Sequence, residues 1–359
     1  MFTREDTLTS GDLASCIAMM QGGSKTFFAA SRLLPTRVRY QAIALYAFCR
    51  VADDCVDHAA PGDRPLEALG QRLDAIFAGT PMDHVEDHAL SMVVAQVGLP
   101  RHLLEALIEG FAWDAQGRLY QSLDEVLDYS ARVAGSVGAM MCWIMGPRDA
   151  PTLARACELG LAMQLTNIAR DVGEDARMGR LYLPRQWLRQ SGLDPDAWLR
   201  APRFGPALSS VISRLLDEAD RLYERARPGI AQLPPDCRAA IYSASLIYGE
   251  IGHQLRREGL NSVDHRTVVS GSRKLALLAS AWTQATWIRM EEHPPEAERS
   301  IDAMVRACLS DREGARSSGA TRDIYFPSRS ASQRVAWVLD LLERREHQKR
   351  DRSVSVAAG

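Results

Sequence analysis

Along most of the chain apolar residues recur at every third or fourth position, the period of one face of an α-helix. Strand-like alternation bounded by turn residues is nearly absent, and Ala, Leu, Arg and Glu, all good helix formers, fill the periodic segments. Breakers cut the pattern at Pro35, 59–65, 79–83, 98–100, 146–151, 202–206, Pro234 and Pro235, and Pro294 and Pro295. Ser122 followed by Glu125 is a capping-box pattern that opens a helix running through Tyr129 and Val133. The pattern predicts about ten helices packed as one all-α, bundle-like domain over residues 12–289. Residues 290–359 read as an extension: charge, Pro, Ser and Gly dominate 291–328, and an amphipathic segment at 331–346 leads to a charged tail.

Composition narrows the classes. Apolar residues are 46% and charged residues 25%, the balance of a soluble globular protein. The 43 Lys and Arg against 45 Asp and Glu leave a formal charge of −2, so no nucleic-acid partner is expected. No apolar run reaches about 18 residues, so no membrane span is expected. The first residues carry acids and no apolar h-region, which argues against a secretory signal. Seven cysteines without a CxxC pair fit reduced, buried thiols and a cytoplasmic protein.

Two segments carry chemistry. Asp53 and Asp57 lie one helical turn apart, and Tyr46, Arg50, Asp53 and Asp57 share a sector of roughly 60°. Gln164, Asn167, Asp171 and Asp175 form a second polar stripe over about 80°, with Arg170 directly before its first acid. Their neighbours Leu161, Leu165 and Ile168 are apolar, so both stripes belong to largely buried helices. Like charges at this spacing repel, and burying them without a partner costs far more. Two such stripes need cations between them. Oxygen-only ligands completed by water and phosphate suit Mg²⁺ or Mn²⁺, which points to a metal–diphosphate site between facing helices. EF-hand, HExxH, Walker and GxSxG patterns are absent, and the Gly135–Gly138 segment lies within helical pattern without a dinucleotide-binding setting.

Taken with Ser24 to Pro35, Tyr129 to Gly138 and Gly179 to Pro184, these two motifs resemble the squalene/phytoene synthase family, the all-α head-to-head prenyl diphosphate synthases. The resemblance covers most of residues 22–285. It implies an isoprenoid-synthase fold with a central apolar channel. The implied activity is that of a prenyltransferase of carotenoid biosynthesis: two geranylgeranyl diphosphates condensed through prephytoene diphosphate to 15-cis-phytoene. Asp53, Asp57, Asp171 and Asp175 would hold Mg²⁺ or Mn²⁺ with help from Asn167. Arg50, Arg170 and Lys25 would pair with phosphate oxygens and Ser24 would donate a hydrogen bond, with Gln164 and Arg266 also on the substrate. Phe27, Tyr46, Tyr129, Tyr182 and Tyr248 are candidates for stabilising carbocations through their ring faces, Tyr129 and Tyr248 foremost. Gly135 and Gly138 would leave room for a prenyl chain or for tight helix packing. Small residues at Ala29, Ala30 and Ser31 favour a C20 over a C15 substrate.

Rival readings are a C15-specific squalene, dehydrosqualene or presqualene diphosphate synthase and a non-catalytic assembly factor of the same fold. No dinucleotide signature is present, so NADPH is not expected, and four intact aspartates argue for catalysis. Lipid substrate and product raise the expectation of peripheral contact with the inner membrane surface.

Overall fold

The first described helix is α1 (Ser10–Gly23), whose buried Cys16 and Met20 face α2 (Thr36–Asp57). In α2 the apolar positions Val38, Leu45, Phe48, Ala52 and Val56 turn inward, which leaves the opposite side to Tyr46, Arg50, Asp53 and Asp57. Helices α3 (Pro65–Ala78), α4 (Val85–Val97) and α5 (Arg101–Ala115) follow; Gly79 and Gly98 end α3 and α4 at φ of 75° and 59°, a conformation glycine adopts without cost. This computed structural model describes residues 10–23, 28, 30–60, 62–289 and 295–315. Ser24, Lys25, Phe27, Ala29 and the 331–346 segment lie outside the described residues.

Helix α6 (Leu123–Ser130) starts where the capping box places it, with the Ser122 hydroxyl accepting from the Glu125 amide at 3.3 Å. One π turn (Ala131–Gly135) joins it to α7 (Ser136–Met145). Helix α8 (Ala150–Arg170), capped by Asp149, is the axis of the molecule and touches α7, α12 (Pro206–Ala226), α13 (Pro235–Arg257) and α15 (Arg299–Ala315). Three six-residue helices, α9 (Val172–Arg177), α10 (Arg185–Gln190) and α11 (Pro195–Arg200), connect α8 to α12. A 3₁₀ turn (Arg227–Gln232) leads to α13, and α14 (Gly271–Gln284) packs on α13. The described residues hold no strand, and up to residue 289 they hold fourteen α-helices rather than about ten. The surplus comes from short helices too brief to show a hydrophobic period. Helix α15 buries Ile301, Val305 and Cys308 against the bundle.

Two glycines set the distance between α7 and α8. A Cβ on Gly138 would lie 2.2 Å from the Ala156 carbonyl oxygen, and one on Gly160 would lie 2.3 Å from that of Ala134. Both positions also border the central cavity, so close backbone approach and channel shape are one requirement. Gly138→Ala is expected to lose about 2 kcal/mol of stability, because backbone and not a flexible side chain must move. A denaturant midpoint that falls with an unchanged slope tests this; an unchanged midpoint contradicts it.

Candidate active site

A cavity opens between α1, α2, α7, α8, the 3₁₀ turn and α13, with an empty volume of about 1490 Å³ counting its solvent-open mouth. Its walls are mostly apolar: Leu34, Leu45, Val137, Met141, Met163 and Ile230 are among them, and Ala30 and Ser31 contribute small groups. Along α8 it runs from Asn167 through Met163 and Leu159 to Arg155 and Thr152. Tyr46, Cys49, Gln164, Asn167 and Tyr248 supply polar atoms to the lining, and one turn beyond Cys49 stands Asp53.

The two acidic stripes meet at this mouth. Arg180, just past α9, donates from Nη2 to Asp57 Oδ1 at 2.6 Å, and its backbone amide donates to the Asp175 carbonyl at 2.9 Å. One residue thus ties the end of α2 to the second stripe. Loss of hydration in the cleft, reinforced by Asp57, pushes the Asp53 carboxyl up to about 6. Burial next to Asp171 and Glu174 pushes Asp175 up to about 8. Asp171 goes the other way: burial raises it, but the Arg170 and Arg266 guanidiniums outweigh that and hold it below the usual carboxylate range. Arg266 Nε lies 2.8 Å from Asp171 Oδ1, and Arg170 Nε lies 2.7 Å from the same oxygen. Arg50 grips Asp54 at 2.6 Å and stands 3.6 Å from Asp53.

Helix α8 ends at Arg170 and Asp171 forms the joint to α9, so the second stripe crosses a helix break that simple periodicity does not foresee. The break has a cause: Gly173 lies against the backbone of Val263, where a Cβ would come within 2.1 Å of its carbonyl oxygen, and its amide donates to Ser262. The Asp175 amide still donates to the Asp171 carbonyl at 2.8 Å, which preserves the one-turn spacing of the two acids.

Behind the acids lies a group the motif reading did not include. Asp114, at the end of α5, accepts from the Tyr129 and Tyr182 hydroxyls, each at 2.7 Å. The rings of Tyr129 and Tyr182 stack with centroids 5.1 Å apart, and Tyr120 closes the cluster at 5.2 Å from Tyr129. Asp114 faces Arg180 and Asp57, so the tyrosines buttress the cleft. Tyr129 and Tyr182 do not border the cavity, whereas Tyr46 and Tyr248 do. Asp114 and Arg180 carried no spacing signal; Arg180 falls inside the Gly179–Pro184 motif, which was its only sequence cue.

The side chains fit divalent cations. The buried Asn167 Oδ1 has no hydrogen-bond partner and sits on the same stripe as Asp171 and Asp175. Among the described residues no three carboxylate, His or Cys side chains cage an ion by themselves, so a cation held here would share oxygens from a ligand, as Mg²⁺ commonly does. A pH dependence follows. Asp53 and Asp175 bind protons more tightly in the folded than in the unfolded chain, so protein stripped of divalent ions loses stability as pH rises from about 4 towards 8. Divalent ions with inorganic diphosphate are expected to displace those protons, with a stabilisation that grows over the same range. Thermal melting between pH 5.5 and 8 tests this; a metal-induced shift that is the same across the range contradicts it.

A sequence profile of squalene/phytoene synthases matches residues 20–273. The phytoene synthase of Rhodobacter capsulatus is 50% identical over 313 residues, 84% of this chain and 92% of that protein. The phytoene synthase of Cereibacter sphaeroides is 50% identical over 288 residues, covering 77% and 81%. A crystal structure of a dehydrosqualene synthase with bound ligand superimposes with a TM-score of 0.72 at 31% identity, over 77% of this chain and 97% of its own. With two acidic helices set over one apolar cavity and this extent of matching sequence, the chain belongs to the squalene/phytoene synthase family.

Proposed function

We propose that the protein joins two geranylgeranyl diphosphates head to head, through prephytoene diphosphate, to give phytoene, and that Mg²⁺ or Mn²⁺ are its cations. The depth of the cavity carries this reading. Fifteen residues separate Asn167 from Thr152 on the lining face of α8, about 22 Å at 1.5 Å per residue. An isoprene unit has four carbon–carbon bonds of about 1.5 Å along its zigzag, so four units span about 20 Å and three only about 15 Å. The channel accommodates the longer tail. The names of the R. capsulatus and C. sphaeroides relatives support the same product.

Members of this family work with divalent ions; bound among Asp53, Asp57, Asn167, Asp171 and Asp175, they supply positive charge to the departing diphosphate. Arg50, Arg170 and Arg266 stand at the mouth and pair with diphosphate oxygens as the carboxylates turn to cations. The apolar walls exclude water from the allylic cation left behind, which keeps it from being hydrolysed. Tyr46 and Tyr248 offer ring faces to that charge. The double bond of the second chain attacks the cation to form the cyclopropyl intermediate; a second ionisation, rearrangement and proton loss complete the product. Catalysis is the role the intact acids support, in preference to that of an assembly factor.

No helix among the described residues is long and apolar enough to cross a membrane. Exposed Met178 and Val268, on the segments that carry Arg177 and Arg266 beside the cleft, support reversible contact of the mouth with the cytoplasmic face of the inner membrane. Purified protein incubated with C20 or C15 diphosphate and Mg²⁺ or Mn²⁺, with and without NADPH, is expected to yield a C40 hydrocarbon from the C20 substrate alone, independent of NADPH. A C30 product from the C15 substrate with the C20 substrate refused would overturn the reading.

A further inference from the structure

Near its deep end the apolar cavity is bordered by a charged residue. Arg155 is 4% exposed and lines the deep end with Thr152 and Gly229. Its position is fixed from three sides. The guanidinium Nη2 donates to the Pro295 carbonyl at 3.0 Å and lies 3.1 Å from Glu158 Oε1. The stem presses on Gly229, where a Cβ would lie 2.3 Å from Arg155 Cβ and 2.8 Å from its Cγ. Glu158, fully buried, is shared with Arg225 at 2.7 Å, and Glu298 joins Arg221 at 2.7 Å. Pro295 and Glu298 lie beyond the segment matched by the family profile.

Burying this network is costly unless each charge is held in place, and the pairing does hold each one. An arginine so pinned has little freedom to swing aside for an incoming hydrocarbon, unlike a leucine or methionine at the same place. The depth is also specific. Arg155 and Thr152 stand about 18 Å and 22 Å from Asn167 along the α8 axis, on either side of the reach of four isoprene units and both beyond that of three.

We propose that Arg155, pinned by Glu158 and the Pro295 carbonyl, is with Thr152 one turn below it the stop that closes the prenyl channel after four isoprene units and so sets the longest chain accepted. The inference rests on the C20 reading above and names the residue that enforces it. Shortening the side chain deepens the channel by roughly one isoprene unit, whereas adding bulk at Gly229 makes it shallower.

The test uses the full chain with C15, C20 and C25 all-trans prenyl diphosphates in competition, read as kcat/KM ratios and product carbon number. Arg155→Ala leaves Glu158 paired with Arg225 and is expected to raise the C25 to C20 ratio by at least about tenfold, with products longer than C40. Gly229→Ala is expected to raise the C15 to C20 ratio by about tenfold. Thermal melting reports whether each variant is folded; should Arg155→Ala fail to fold, Gly229→Ala decides alone. Folded variants whose ratios stay within about twofold of wild type overturn the stop, because a floor residue shifts selectivity by at least the value of a mismatched methylene. Wild-type protein that refuses the C20 substrate overturns instead the C20 reading, so the two failures are distinct.

Discussion

Asp175→Asn protein is expected to fold, to melt at a higher temperature than wild type at pH 8 without divalent ions, and to lose about 10³-fold in kcat/KM. The two effects share one origin. Asp175 is half-buried beside Asp171 and Glu174, and lost hydration with those neighbouring charges pushes its carboxyl up to about 8. A carboxyl whose folded value is raised opposes folding increasingly as pH climbs from its ordinary value through the raised one. An amide removes that opposition, so the gain in melting temperature is greatest near pH 8 and fades towards pH 5, where wild-type Asp175 is protonated anyway. The same substitution removes an anionic oxygen from the group proposed to hold cations against the departing diphosphate, an interaction that matters most in the transition state. Loss of one such electrostatic contact costs on the order of 10²–10³ in rate. Stability gained with activity lost is the signature of a residue kept for chemistry. Lower stability at pH 8, or activity within about tenfold of wild type, contradicts the assignment.

Asp114→Asn is expected to lower kcat/KM by about 10²-fold although Asp114 touches neither tail nor cavity wall. Its two carboxylate oxygens each accept a tyrosine hydroxyl at 2.7 Å, and an amide keeps only one acceptor. Tyr129 or Tyr182 then faces an N–H₂ group in a buried stack, an unmet hydrogen bond worth about 1–3 kcal/mol. Supporting residues behind a metal site commonly carry about 10–100-fold of its function. Asp114 faces Arg180 and Asp57, so the disturbance reaches the cleft. The readout that separates positioning from simple loss of stability is divalent-ion affinity, measured by melting shift at saturating diphosphate analogue; it is expected to weaken in Asp114→Asn and to stay unchanged in Gly138→Ala. Equal affinity in both variants contradicts the role.

The acidic stripes were legible because each is local: Asp53 with Asp57, and Asn167 with Asp171 and Asp175, sit at helical spacing in otherwise apolar segments. Helix caps at Ser122, and the breakers at Gly79 and Gly98, were equally local and appear where composition placed them. What escaped depends on distant partners. The break between α8 and α9 arises from Gly173 meeting Val263, ninety residues further along the chain. Asp114 gains meaning only from tyrosines 15 and 68 positions away, and Arg155 only from a carbonyl 140 positions away. The same holds for the stack that draws Tyr129 and Tyr182 away from the channel while Tyr46 and Tyr248 line it.

A crystal grown with Mn²⁺ and a non-ionisable thiodiphosphate analogue of the C20 substrate, read by manganese anomalous scattering, addresses the arrangement at its root. Metal peaks are expected in the cleft between α2 and the α8–α9 joint, bridging analogue oxygens to Asp53 or Asp57 on one side and to Asn167, Asp171 or Asp175 on the other, with the tail running down α8 towards Arg155. Peaks confined to one stripe, or a tail lying outside the cavity, contradict the account.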